Sequence, residues 1–280
     1  MESAHRYFRI GAPLILEWTH QSTGICTLCT TLIGGNVALA QDSQNVAKEV
    51  TSVIKTDVNK FSYEQDIATA TNIEEIDIES AKQNAVVTVS EEQPGFTNYV
   101  FESKEPLEIT QYRSGETEEA YSITTIAVKS SASSGTDEVM DNGDIALYGR
   151  IEYVKAYEAD DTAKANEFAK LTKVQTKAYN FRESGVHNLK AYPMCWGEQA
   201  NSNCVVLKVG QESFSNPKIN VASPSEGTLY SNSNLGFQYY YRTAFWGVLK
   251  ADFMVNYRHG NSVYMVSATA QYGTGPAIEP

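Results

Sequence analysis

Aromatic side chains near the C-terminus are the residues of this sequence best suited to binding chemistry. Residues 237–246 carry six of them: Phe237, Tyr239, Tyr240, Tyr241, Phe245 and Trp246. Side chains alternate between the two faces of a strand, so Tyr240 and Trp246 are predicted to point away from the core. Exposed Tyr and Trp can stack on sugar rings or anchor a protein interface. Together with Trp196 they predict a ligand-binding patch; the alternative is a strand buried on both faces.

Two cysteines are predicted to form a disulfide. If residues 1–40 are removed on export, only Cys195 and Cys204 remain. An even number of cysteines in an exported chain favours a disulfide, and this spacing suits a bridge across a loop or hairpin. A zinc site is not predicted, because neither His187 nor His259 stands at a metal-ligand spacing from the cysteines.

One acidic turn is a weak candidate for calcium. Asp137, Asp141 and Asp144 supply the oxygen ligands that calcium prefers, but their spacing is not that of an EF-hand. The Asn142-Gly143 pair between them forms turns in its own right. A turn is therefore the favoured interpretation, and no metal site is predicted.

Motifs for catalysis are missing from the sequence. Neither a Gly-x-Ser-x-Gly elbow nor a glycine-rich phosphate loop occurs. His187 and His259 both lie beside predicted turns, and the outward acids Glu152 and Asp252 resemble only loosely the carboxylate pair of a glycosidase. No catalytic residue, no cofactor and no enzymatic activity are predicted.

The elements that position these residues are predicted to be strands. In residues 145–157 and 248–258 apolar and polar residues alternate, as in half-buried antiparallel strands. Residues 248–258 and 262–272 form the clearest predicted hairpin, with Gly260-Asn261 at its tip. The sequence predicts a mainly β fold, with an antiparallel β-sandwich or open barrel over residues 119–280.

The negative charge is concentrated before this domain. Of the formal net charge of −12, residues 61–119 contribute −11, from 14 acidic and three basic side chains. Residues 41–118 are predicted to form an acidic, partly ordered α/β region, with a helix near 43–60 and short strands in 85–112. No basic cluster occurs, so a nucleic-acid partner is not expected.

The N-terminal segment predicts export. Ala38-Leu39-Ala40 is a small-x-small site after a short apolar stretch, as in a signal peptide. Cleavage is predicted after Ala40, and no apolar run is long enough to give the mature chain a transmembrane segment. The order of signal segment, polar spacer and Tyr-rich β-domain resembles, in composition only, exported β-rich proteins of Gram-positive bacteria.

The favoured function is non-enzymatic. We expect an extracellular protein that binds a cell-surface glycan or a partner protein through Trp196, Tyr240 and Trp246. A β-rich secreted toxin is one alternative, because pore-formers insert amphipathic Ser/Thr-rich strands and residues 120–134 or 262–272 could serve. An extracellular hydrolase is the other alternative.

Overall fold

The structure, a computed structural model, describes residues 49–55, 67, 69, 76–93, 95–129, 145–157, 161, 163–179, 185–244, 246–259 and 261–274. Helix α1 spans Ile78–Asn84. The strands are β1 Val50–Lys55, β2 Ala85–Gln93, β3 Phe96–Ser103, β4 Glu108–Tyr112, β5 Thr117–Lys129, β6 Ala146–Tyr157, β7 Phe168–Tyr179, β8 Val186–Ala200, β9 Val206–Ser213, β10 Ile219–Val221, β11 Tyr230–Asn232, β12 Tyr240–Arg242, β13 Val248–His259 and β14 Ser262–Tyr272. The prediction of a mainly β fold is confirmed.

The described strands form one antiparallel sheet. Its main path runs β1-β4-β5-β6-β7-β12-β8-β13-β14, with β3 on β5, β2 on β3, β9 and β10 on β8, and β11 on β7. The predicted C-terminal hairpin is present, since β13 and β14 pair from Leu249↔Tyr272 to His259↔Ser262. The path does not close into a ring among the described residues.

The core lies where strands distant along this path pack face to face. β13 contacts β6, and β14 contacts β5 and β6, without pairing to them. Phe253 of β13 is fully buried against Gly149 of β6, where an added Cβ would lie only 2.1 Å from the Phe253 ring. The alternation seen in the sequence therefore places apolar side chains inside this contact and polar ones outside it.

The N-terminal strands belong to the same sheet. The predicted boundary at residue 119 falls inside β5, and the short strands expected in 85–112 are β2, β3 and β4. The helix predicted near 43–60 is wrong for Val50–Lys55, which is β1 and pairs with β4. Four of these six residues are β-branched, a composition that favours strands. Residues 43–48 and 56–60, the signal segment 1–40 and its cleavage site lie outside the described residues.

The predicted disulfide is wrong. Cys195 lies within β8 and Cys204 in the turn that joins β8 to β9; both side chains are buried, and no disulfide joins them. The two strands do form a hairpin, but Ala200 is its last paired residue in β8. Five residues of strand from Cys195 to Ala200 span about 17 Å, whereas bridged Cα atoms lie within about 7 Å. Cys195 therefore lies partway along the hairpin and Cys204 at its tip, and the two residues do not face each other.

Candidate functional site

Two of the three predicted binding residues meet in one pocket. This pocket, called here the tryptophan pocket, has a volume of about 460 Å³ and is lined by Trp196, Gly197, Glu198, Val209, Arg242 and Trp246. Trp246 is 69 % exposed and Val209 67 % exposed, while Trp196 is half-buried. The pocket thus presents indole and aliphatic surface beside a carboxylate and a guanidinium.

Strand pairing and a tight turn bring the two tryptophans together. Trp196 of β8 pairs in register with Val248 of β13, two residues after Trp246. The turn 242–247 that carries Trp246 is closed by a hydrogen bond from the Gly247 N–H to the Arg242 carbonyl oxygen, 3.1 Å. The backbone of this turn also lies against β8, because a Cβ at Gly197 would be 2.8 Å from the Gly247 Cα. Glycine at position 197 permits this approach.

The charged side chains of the tryptophan pocket are held in place. Arg242 Nη1 lies 3.4 Å from Glu198 Oε2, and Arg242 Nη2 donates a hydrogen bond of 2.5 Å to Asn166 Oδ1. Both charged side chains are only partly exposed, so little entropy remains to be lost when they bind a ligand. Stacking surface next to fixed donors and acceptors suits a ring that has one apolar face and a polar edge.

Tyr240 does not belong to this surface, contrary to the prediction. It is 8 % exposed, packs with Phe168, Ala200 and Cys204, and its hydroxyl donates to the Glu118 carboxylate. Burial, followed by the charge of Glu118, raises the pKa of its phenol. Its neighbour Tyr241, which points to the opposite face of β12, is 0 % exposed and packs in another core cluster. This short aromatic strand is therefore buried on both faces, and the alternative interpretation holds there.

A second pocket, called here the polar pocket, is lined in part by the same turn 242–247. Its volume is about 550 Å³, and its lining residues are Glu102, Lys164, Ala165, Glu167, Thr243, Ala244, Gln271, Tyr272, Gly273 and Thr274. The Glu167 carboxylate accepts hydrogen bonds from the Tyr272 hydroxyl and from Thr243 Oγ1, 2.5 Å, and pairs with Lys155 Nζ at 3.1 Å. Three donors therefore hold the Glu167 carboxylate in place.

Aromatic rings surround the charges behind the polar pocket. Lys155 Nζ lies 4.5 Å from the ring centroid of Tyr121 and 4.6 Å from that of Tyr272, and the ring of Tyr153 stacks on Tyr272 at 4.3 Å. Burial raises the pKa of the Glu102 carboxyl; Lys155 opposes this shift and the charge of Glu167 adds to it. A carboxyl with a raised pKa in a cleft is a candidate functional group.

Sequence reasoning missed the polar pocket. Its main side chains come from β3, from the segment before β7 and from β14, and no spacing in the sequence links Glu102, Glu167 and Tyr272. The sequence offers one signal for this pocket, the tyrosines of β6 and β14. Tyr153 and Tyr272 lie on strands that the alternation of apolar and polar residues predicts. Only the face-to-face contact of those strands unites them with the acids.

The other sequence candidates lie apart from both pockets or outside the described residues. Glu152 pairs with Arg150 and Lys173 on the sheet, whereas Asp252 pairs with Lys250 on another strand. His187 is a half-buried residue of β8 that lines neither pocket. Asp137, Asp141 and Asp144 lie outside the described residues, as does the side chain of His259.

Comparison with protein-family models, with curated proteins and with solved structures finds no match to this chain. In the described part of the chain, no cluster of His, Cys, Asp or Glu is suited to holding a metal ion, and no helix is long and apolar enough to cross a membrane.

Proposed function

We propose that this chain is an exported, non-enzymatic protein that binds a cell-surface glycan in the tryptophan pocket. The observation that carries the proposal is the meeting of Trp196 and Trp246 in one pocket with Glu198 and Arg242. The indole rings offer stacking surface for the C–H face of a sugar, and the two charged groups offer an acceptor and donors for its hydroxyls.

The shape of the site favours a glycan over a partner protein. A volume of about 460 Å³ lies within the roughly 300–1,000 Å³ usual for small-ligand sites, which is enough for one or two sugar units. A protein interface would instead require a broad surface of at least about 1,000 Å² in total. Export, which would place the pocket at the cell surface, is supported by the Ala38-Leu39-Ala40 site.

The pore-former alternative gains no support from β5. Ser122, Thr124 and Thr125, which made residues 120–134 a candidate for membrane insertion, are buried within the sheet. Thr124 and Thr125 pair in register with β6. Releasing them would require opening the core, so the glycan-binding proposal is preferred.

Tryptophan fluorescence tests the proposal directly. The sequence contains three tryptophans, so the full-length chain with Trp18→Phe keeps only Trp196 and Trp246, both in the pocket. Titration with soluble oligosaccharides of glucose, N-acetylglucosamine, galactose and mannose should shift the emission for at least one of them. We expect Trp246→Ala to weaken that binding at least about tenfold in calorimetry, since losing one stacking contact costs on the order of 1.4 kcal/mol.

Two controls make this test decisive. Val263→Ala, at an exposed apolar residue of β14 that lines neither pocket, should leave the affinity unchanged. Chromatography of the ligand after incubation should return it intact, as expected for binding without hydrolysis. Unchanged affinity in both Trp196→Ala and Trp246→Ala would contradict the proposal.

A further inference from the structure

We infer that the polar pocket is a second subsite of the same binding site and that it takes a sugar unit bearing a protonated amine. This inference rests on the proposed function, because it extends the ligand from the tryptophan pocket across the turn 242–247. Its basis is the wall that the two pockets share, together with unmatched negative charge in the polar pocket.

Consecutive residues of one turn line the two pockets. Arg242 lines the tryptophan pocket and Thr243 the polar pocket, and neighbouring Cα atoms are only about 3.8 Å apart. The segment 164–167 backs both residues: Asn166 accepts from Arg242, while Glu167 accepts from the Thr243 N–H, 3.1 Å, and from its hydroxyl. The turn 242–247 and the segment 164–167 thus form a wall that the two pockets share, and we expect a short oligosaccharide to reach from one pocket to the other.

The charges around the polar pocket sum to less than zero. Glu119 pairs with Lys164, and Glu167 pairs with Lys155. Glu102 adds a third carboxylate, and its side chain has neither a hydrogen bond nor an ion pair with any described residue. Asp161, whose carboxylate accepts hydrogen bonds from the Ala165 and Asn166 N–H groups, is a fourth. Four carboxylates against two ammonium groups leave a formal charge of −2, which a ligand cation would reduce.

The back of the pocket is also incompletely satisfied. The ring of Tyr153 stacks on the pocket residue Tyr272, and its hydroxyl lies within electrostatic reach of Glu102 and Glu167. Tyr153 is 1 % exposed, yet this hydroxyl has no hydrogen-bond partner within the described part of the chain. Buried polar groups are normally paired, so the packing directly behind Tyr272 leaves one hydroxyl unsatisfied.

A protonated amine fits these requirements better than a hydroxyl. It supplies three donors and a positive charge, and a charge-assisted hydrogen bond to a partly buried carboxylate is stronger than a neutral one. An oligosaccharide of amino sugars carries both the protonated amine and the sugar ring that is proposed to stack on the indoles of the tryptophan pocket.

Three matched ligands test the inference. The β-1,4-linked tetrasaccharides of glucosamine, N-acetylglucosamine and glucose share one backbone and differ in the amine. In calorimetry on the full-length protein at pH 6, we expect the glucosamine oligomer to bind at least about tenfold more tightly than the other two. Glu102→Gln should bring this affinity ratio close to one, because it removes the unpaired carboxylate that lines the pocket.

The control variant separates a specific site from general attraction by an acidic protein. Glu91→Gln removes the same charge from an exposed residue of β2 that lines neither pocket, and it should leave the ratio unchanged. Equal reductions of the ratio in both variants would show non-specific attraction and overturn the inference.

The remaining outcomes distinguish the inference from the proposed function. Equal binding of all three oligomers, weakened by Trp246→Ala, would overturn the second subsite while the tryptophan pocket stands. If no oligomer binds, while the earlier panel finds a different glycan that depends on Trp246, the amine specificity is again refuted. Absence of any glycan binding would refute both.

Discussion

Replacing Gly247 by alanine should damage the tryptophan pocket through the backbone alone. A Cβ at this position would lie 2.4 Å from the carbonyl oxygen of Arg242 and 2.8 Å from its carbonyl carbon. Both are backbone atoms of the same turn, so no rotamer change can relieve the contact. The turn itself has to open, and it carries Trp246.

The size of the effect follows from these distances. Real Cβ atoms essentially never approach other heavy atoms closer than 3.0 Å, so the contact must lengthen by at least 0.6 Å, from 2.4 to 3.0 Å. The same shift would stretch the 3.1 Å hydrogen bond from the Gly247 N–H to the Arg242 oxygen to about 3.7 Å, which is beyond hydrogen-bonding distance. Overpacking costs about 1–3 kcal/mol and the lost hydrogen bond about 1 kcal/mol. We expect a loss of about 2–4 kcal/mol in the free energy of unfolding.

Urea unfolding followed by circular dichroism measures this loss, and tryptophan emission in the Trp18→Phe background reports the pocket. Gly227→Ala is the matched control: Gly227 has a φ of +68° with nothing within 4 Å of an added Cβ. Alanine at position 227 should lower the free energy of unfolding by about 1–2 kcal/mol, because of its left-handed backbone alone. The tryptophan emission should not change. Gly247→Ala with wild-type emission and an unfolding free energy within about 0.5 kcal/mol of wild type would refute the reasoning.

The two cysteine thiols and the partly buried Glu102 carboxyl give two further predictions. Peptide mapping after alkylation in denaturant without reductant should find Cys195 and Cys204 modified, whereas a linked peptide would contradict the hairpin geometry. Glu102→Gln should raise the melting temperature at pH 7 but hardly at pH 4. Burial and Glu167 raise the pKa of this carboxyl against the opposing effect of Lys155, so its stabilising protonated form is lost as the pH rises through that value. A larger rise of the melting temperature at pH 4 than at pH 7 would contradict this direction of the pKa shift.

The sequence predicts the fold best where strands are half-buried. β13 and β14 show alternation because one face meets the core and the other meets solvent, and their hairpin needs only local pairing. The helix prediction is wrong at Val50–Lys55 because the valines of this region recur at spacings that a helix also allows. Its conformation is decided by pairing with β4, more than fifty residues away, and such non-local context overrides local spacing.

The site is predictable only in its side chains that face solvent. Trp196 and Trp246 are recognisable as aromatics without a core position, but their proximity depends on the pairing of β8 with β13. Tyr240 follows the same alternation and is nevertheless buried, because Phe168, Ala200 and Cys204 pack against its ring. The polar pocket depends on contacts between strand faces, which leave no periodic trace in the sequence.

The position of the turn 242–247 matters more to both pockets than any one of their side chains. Glu167 and Asn166 hold its first residues through Thr243 and Arg242, and Gly247 closes it. Because these contacts also build the shared wall, a substitution that shifts the turn should weaken recognition at both pockets together. One that removes a single lining side chain should weaken recognition at its own pocket alone. If the two pockets act as one site, Gly247→Ala should weaken binding at both subsites. Trp246→Ala should weaken it only at the tryptophan pocket, and Glu102→Gln only at the polar pocket.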